Sequence, residues 1–227
     1  MNRPLLLEGG AEFGGRMSEP DLRAIELAGG FDAPVCIIPT AAAPDNNYKR
    51  AGGNGVRWFQ SLGAKNVFTV DVIDAASAND PVLADLICAA RLIYLLGGFP
   101  RYLGETLTGS LCWRAALEAH AQGAVIAGSS AGAMVLCEHY YDPYEKKLLR
   151  GLNLIPDACV LPHHNNFGKA WAQQLMQMLP DATLIGIDER TGMIGHAGDS
   201  WRVHGAGNVT IYKNTQIKIH AHGESFK

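Results

Sequence analysis

A mixed α/β fold, with a mostly parallel sheet and helices on both faces, is predicted by three features of this sequence. Short uninterrupted apolar runs alternate with helix-length amphipathic stretches, and a strand that is apolar at every position is one covered on both faces, as in a parallel sheet. Apolar residues make up 48% of the 227 positions against 18% charged, enough to bury a sizeable core and too much for a disordered chain. Several apolar runs stop at glycine, serine, histidine or an acid, the residue types that bind ligands along the C-terminal edge of an open sheet.

Taken in order, Leu5–Leu7 is a short buried strand closed by Gly9-Gly10. Glu19–Ala28 is a helix with Leu22, Ile25 and Ala28 at helical spacing; Ser18 and Asp21 fit a capping box at its start. Val35–Ile38 is the second strand. The Ala-, Pro- and Asn-rich segment from Thr40 begins as a loop, and Tyr48–Leu62 is a helix stopped by Gly63. Val67–Val72 is a strand, and Asp80-Pro81 starts a helix through Ile87, with proline at a first-turn position that needs no N–H. Leu92–Leu96 is a strand ending at Gly97-Gly98, followed by a long helical stretch over Leu103–Ala121. Ala124–Ala127 is the fifth strand. Tyr140–Asn153 reads as a polar and aromatic connection, Ala158–Leu161 as a strand stopping at Pro162-His163-His164, and Lys169–Leu179 as an amphipathic helix closed by Pro180. Thr183–Ile187 is a strand ending at Asp188-Glu189, and Met193–Ala197, Trp201–His204 and Val209–Tyr212 read as short antiparallel strands. No repeat or linker divides the chain, so residues 1–227 are expected to form one domain.

Charge and cysteine usage narrow the class. A net charge of −3 with no Lys/Arg run carries no footprint of a nucleic-acid or membrane partner. Five widely spaced cysteines without a C-x-x-C read as free thiols in a reducing compartment. The apolar run near the N-terminus is too short for a signal peptide. A cytoplasmic protein is the expectation. No H-E-x-x-H or Cys/His cluster suggests a metal, and no cofactor is expected.

The stretch Ala124–Met134 carries the chemistry. Gly128-Ser129-Ser130-Ala131-Gly132 is a G-x-S-x-G pattern between a strand and residues that suit a helix. In such an elbow the serine backbone is strained, small neighbours let strand and helix approach, and Oγ points outward. The N–H of Ala131 can donate to an oxyanion. A serine hydroxyl needs a base within hydrogen-bond reach, and His163 and His164 lie nearest a strand end. The base in turn needs an acid. Asp142, Glu145, Asp188 and Glu189 are candidates, and spacing alone does not choose among them.

Gly97-Gly98, Ser130-Ala131-Gly132-Ala133, Gly151-Leu152-Asn153-Leu154, Pro162-His163 and Gly186-Ile187-Asp188-Glu189, in this order, resemble the serine peptidase family of dipeptidase E (aspartyl dipeptidase) and cyanophycinase. The resemblance implies a fold similar to class I glutamine amidotransferase domains and a triad in the order Ser-His-Glu, which differs from the order in α/β-hydrolases. Carried over, Ser130 is the nucleophile, His163 the base, Glu189 the orienting acid, and Gly98 and Ala131 the oxyanion donors. His164 falls where the family often has an aromatic residue. The implied substrate is a small peptide or isopeptide-like amide, and a homodimer follows from the family analogy alone.

After Gly97-Gly98 the family usually has Asn or Asp, often followed by Gln, whereas this chain has Phe99, Pro100 and Arg101. The turn becomes apolar and stiffer, so Phe99 is expected to reshape the substrate region, and Arg101 is a candidate for bidentate binding of a substrate carboxylate. This departure keeps a second function class in view, a non-catalytic homologue binding a small ligand in the same pocket. A third class, a glutamine amidotransferase domain, would need a thiol nucleophile, and Cys137 lies about two helical turns past the elbow.

Overall fold

A computed structural model describes residues 3–214 and 216–227; Met1 and Asn2, the start of the N-terminal segment weighed above as a signal peptide, lie outside the described residues. The chain runs β1 (Leu5–Glu8), α1 (Ser18–Leu27), β2 (Val35–Ile38), α2 (Tyr48–Ser61), β3 (Val67–Thr69), α3 (Pro81–Cys88), β4 (Leu92–Leu95), α4 (Pro100–Leu107), α5 (Leu111–Ala121), β5 (Val125–Ser129) and α6 (Ala131–Leu136). It continues through β6 (Cys137–Asp142), β7 (Lys147–Arg150), β8 (Ile155–Leu161), α7 (Ala172–Met178), β9 (Thr183–Ile187), β10 (Thr191–Gly195), β11 (Trp201–Gly205), β12 (Val209–Lys213), β13 (Gln216–His220) and β14 (Ser225–Phe226).

The first sheet has the order β14-β11-β10-β1-β5-β4-β2-β3. Its centre is parallel from β1 to β3, and β10, β11 and β14 add antiparallel strands beyond β1. The near-uniform apolarity of the parallel strands β1, β2, β4 and β5 ahead of their C-terminal ends has a direct cause. Leu6, Val35, Ile37, Leu92, Tyr94 and Val125 pack on one face with Ile25 of α1 and Phe59 of α2. The alternate residues Leu5, Leu7, Cys36, Ile38, Ile93 and Ile126 pack on the other with Leu103, Trp113 and Ala116 of α4 and α5. With a side-chain period of two, burial on both faces leaves no solvent-facing position for a polar residue along these strands.

Four local expectations are corrected. Ser18 does not cap α1: Met17 holds the cap position in a helical conformation after a single 3-10 turn, with no side-chain bond. Asp21, expected in the capping box, is fully buried instead. The stretch Leu103–Ala121 is two helices, because Gly109 takes φ +70° and the Ser110 hydroxyl accepts from the Trp113 N–H at 3.1 Å to start α5 afresh. The segment expected as a connection over Tyr140–Asn153 contains an antiparallel hairpin of β6 and β7, paired from Asp142↔Lys147 to His139↔Arg150.

That hairpin belongs to a second sheet, β13-β12-β9-β8-β6-β7, which the sequence did not announce. One face, through Tyr140, Ala158, Val160, Ile185 and Val209, joins the core of the first sheet. The other carries α7 through Cys159, Leu161, Leu184 and Tyr212 against Ala172 and Leu175. The second sheet brings the ends of β8 and β9 to the edge where β1, β4 and β5 also stop.

Beneath that edge lies a buried acid pair. Glu8, the last residue of β1, and Asp21 of α1 are both 0% exposed. Tyr94 Oη donates to Glu8 Oε2, and Trp58 Nε1 donates to Asp21 Oδ2 at 2.7 Å. Glu8 Oε1 and Asp21 Oδ1 have no other partner, and the two carboxyls bond each other only with a proton between them. Burial pushes both upward, Asp21 to about 7, with the neighbouring Glu12 charge adding to the shift. These acids bind protons more tightly folded than unfolded. The stabilisation is therefore complete below about pH 4, the unfolded value, and is lost as pH rises through the folded values. Unfolding of the wild type measured from about pH 5 to pH 9 should show stability falling by up to about 1.4 kcal/mol per pH unit for each proton released. Glu8→Gln, which supplies a permanent N–H toward Asp21 and keeps an acceptor for Tyr94, should flatten that slope; an unchanged slope would show that the pair does not hold the proton.

Candidate active site

Ser130 sits between β5 and α6 with φ 49° and ψ −111°. This backbone region costs a non-glycine residue roughly 1–3 kcal/mol and persists only where neighbours over-determine it. Here the Ser130 N–H donates to the Glu8 carbonyl at 3.0 Å, and the Ser130 carbonyl accepts from Met134 N–H at 3.0 Å. The two flanking glycines are required by contact. A Cβ on Gly128 would lie 2.5 Å from the Gly132 carbonyl carbon, and one on Gly132 would lie 2.2 Å from the Leu95 carbonyl oxygen.

The Ser130 hydroxyl lies 3.0 Å from His163 Nε2. His163 follows Pro162 at the end of β8 with φ 48°. Its N–H donates to the Gly9 carbonyl at 2.7 Å, and its own carbonyl accepts from Asn166 and Gly168 N–H groups. Gly10 gives the ring room, since a Cβ there would meet the imidazole at 2.3 Å. Phe167 stacks on the open side of the ring, with centroids 4.8 Å apart. Glu189 Oε1 lies 2.8 Å from His163 Nδ1, and the Glu189 N–H donates to Asn165 Oδ1 at 2.9 Å. The hydrogen bond from His163 holds the Glu189 carboxyl below the usual range. A carboxylate at Nδ1 keeps the neutral ring's proton there and leaves Nε2 as the acceptor facing the serine.

The other candidates are occupied elsewhere. His164 turns into the second sheet, where Nε2 meets Tyr212 Oη at 2.8 Å and the ring fills the space left by Gly186. Asp188 accepts from Asn208 N–H at 2.9 Å and faces His164 Nδ1 at 3.4 Å. Asp142 accepts from Tyr144 N–H at 2.9 Å, and Glu145 pairs with Lys147 and Arg101. Cys137 is fully buried, and burial pushes its thiol well up, the opposite of what a thiolate nucleophile needs.

The turn after β4 borders the serine: a Cβ on Gly97 would lie 3.2 Å from Ser130 Cβ. Gly98 has φ +138° and lies so close to Ala41 that a Cβ would fall 2.2 Å from its carbonyl oxygen, so only glycine fits. Among the described residues neither the Gly98 nor the Ala131 N–H has an acceptor. The Phe99 N–H donates to the Ala41 carbonyl at 2.8 Å, and its ring stacks on Tyr144 at 5.3 Å and 19°. Arg101 bonds Glu105 at 2.7 Å and also Glu145. A substrate carboxylate would have to displace those partners to reach it.

Sequence reasoning passed over Glu12. Its carboxylate accepts from Ser129 Oγ at 2.6 Å and from Gly97 N–H at 3.4 Å. It also borders a cavity of about 570 Å³ lined by Phe13, Asn54, Arg57, Trp58 and Leu96. The signal was present: β1 ends on the same edge as β4 and β5, and Glu12 is the one charged residue between Gly9-Gly10 and Gly14-Gly15. Among the described residues no group of three or more His, Cys, Asp or Glu side chains could hold a metal ion, and no helix is long and apolar enough to cross a membrane.

Comparison with known proteins gives the family and the fold. Over its whole length the chain matches the crystal structure of a peptidase from an acI-B1 Actinobacterium, with a TM-score of 0.90, 32% identity and 97% of that chain covered. A putative peptidase E from Listeria monocytogenes EGD-e shares the fold at a TM-score of 0.65 and 20% identity, over 91% of this chain and 100% of that one. In sequence, the chain is 28% identical to a cyanophycinase from Geminocystis herdmanii, covering 97% of this chain and 84% of that one. A cyanophycinase from Synechococcus elongatus is also 28% identical, over 82% of this chain and 60% of that protein. The model of Peptidase family S51 matches residues 5–202. The chain therefore belongs to peptidase family S51 and is a serine-type peptidase.

Proposed function

We propose that this enzyme hydrolyses an amide bond in a small peptide through an acyl-enzyme on Ser130. The observation that carries the reading is the continuous hydrogen-bonded line from Ser130 Oγ through both nitrogens of His163 to Glu189. Ser130 Oγ attacks the substrate carbonyl while its proton passes to His163 Nε2. Glu189 stabilises the imidazolium so formed. The carbonyl oxygen, now negative, is met by the N–H groups of Gly98 and Ala131, which have no partner to give up among the described residues. His163 returns the proton to the leaving amine, and water repeats the sequence to release the acid. Phe99, stacked beside the Gly98 donor, contributes an apolar wall to the substrate side, and Arg101 holds the β6–β7 hairpin against it through Glu145.

A panel of α- and β-linked dipeptides, assayed with wild type and Ser130→Ala, tests the reading directly. Ser130→Ala should lose turnover by about 10⁴-fold or more, and a fluorophosphonate should label Ser130 alone. An unlabelled serine, or an active alanine variant, would overturn the assignment. Glu189→Gln should cost about 10³–10⁴-fold in kcat, because a carboxamide can donate to Nδ1 and favour the wrong tautomer. His164→Ala separates the neighbouring histidine from the chemistry: it should lower stability by about 1–3 kcal/mol, since the buried Tyr212 hydroxyl loses its partner, while Ser130 labelling persists.

A further inference from the structure

We infer that Glu12 is a positioning residue that holds the two halves of the oxyanion hole in register. The inference rests on the serine-hydrolase reading above. The two proposed donors come from different strands: Gly98 follows β4, and Ala131 follows β5. The backbone ladder between those strands ends at Leu95↔Gly128. Beyond it β5 continues only with β1, as Glu8↔Ser129, and the β4 turn has no ladder bond to β5. Glu12 spans this gap. One carboxylate oxygen takes the Ser129 hydroxyl at 2.6 Å and the other takes the Gly97 N–H at 3.4 Å. Each bond is made one residue before a site element, Ser130 in one case and Gly98 in the other.

The short bond to Ser129 is charge-assisted and buried at the serine end, since Ser129 is 0% exposed. The carboxylate also fills the space beside Gly97, where a Cβ would meet Glu12 Oε1 at 3.1 Å. Oxyanion donors act over a few tenths of an ångström, so a bridge between the two turns sets their joint geometry. The loop that carries Glu12 is anchored independently: the Phe13 ring packs on Tyr94 at 5.5 Å and on Phe59 at 6.4 Å. Removing the carboxylate therefore loosens the turns without releasing the loop.

The test uses Glu12→Ala, Glu12→Gln and Ser129→Ala, with rates expressed per Ser130 titrated by a fluorophosphonate. Glu12→Ala should lower kcat by about 10²-fold with KM changed less than about 3-fold. Its affinity for a peptide boronic acid, whose tetrahedral adduct places an anionic oxygen in the hole, should fall by a similar factor, while affinity for the hydrolysis product holds. Glu12→Gln keeps an acceptor for the Gly97 N–H and offers its amide to Ser129 Oγ, so it should recover to within about 10-fold of wild type. Ser129→Ala leaves the charge and removes only the short bond, and should lose about 10-fold in both kcat and boronate affinity; this variant decides the matter if Glu12→Ala does not fold. Unchanged boronate affinity in Glu12→Ala and Ser129→Ala, or a loss confined to KM, would overturn the inference. Failure of the wild type to react with either reagent would instead refute the serine-hydrolase reading itself.

Discussion

The hydrogen bond from the Ser130 N–H to the Glu8 carbonyl ties a strained residue of the site to the end of the central strand. An L-residue at φ 49°, ψ −111° relaxes unless something holds it. The hold comes from both sides of β5: β1 supplies the Glu8 carbonyl, and β4 leaves so little room at Leu95 that Gly132 must be bare. The first sheet thus converts parallel pairing into a fixed direction for one hydroxyl. Its apolar faces, filled by α1 and α2 on one side and by α4 and α5 on the other, keep that frame rigid.

Much of this was legible in the sequence because one physical rule governs it. A strand buried on both faces must be apolar throughout, so Val35–Ile38 and Leu92–Leu95 announce themselves. The G-x-S-x-G spacing is equally readable, since the close contacts at Gly128 and Gly132 leave no alternative residue. What was hidden depends on tertiary contact. Asp21 has the local signature of a capping residue, yet Trp58, 37 positions on, draws it inward. The β6–β7 hairpin carries polar residues and an exposed Tyr144, so it lacks the continuous apolar signal of the first sheet. Glu12 has no periodicity around it at all, and its meaning appears only when β1, β4 and β5 end side by side.

The adjacent histidines show how backbone geometry sends chemically identical side chains to different surroundings. At φ 48°, His163 departs from the strand and faces Ser130, while His164 keeps the opposite direction and enters the second sheet. Each then finds a carboxylate from the neighbouring pair, Glu189 for His163 and Asp188 for His164. The alternation that separates the two histidines also separates the two acids. Burial lowers the His164 pKa and favours its neutral form, consistent with a structural partner for Tyr212 and not with a group that must gain and release a proton.

The same division between backbone and side chain explains how the turn after β4 can carry Phe99 and Pro100. In the proposed mechanism the turn contributes the Gly98 N–H, which is fixed by a glycine-only φ and by the Phe99 N–H bonded to Ala41. Neither anchor uses the side chain at position 99. Pro100 has no N–H to satisfy, and it opens α4 at a position where an N–H would find no acceptor within the helix. The Phe99 ring is therefore free to meet Tyr144 on the β6–β7 hairpin, and Arg101 to bind that hairpin through Glu145. A polar residue in place of Phe99 would leave the donor where it is but lose the ring contact. The reacting centre and the wall beside it are separate structural problems, and the chain solves the first with main-chain geometry and the second with side chains.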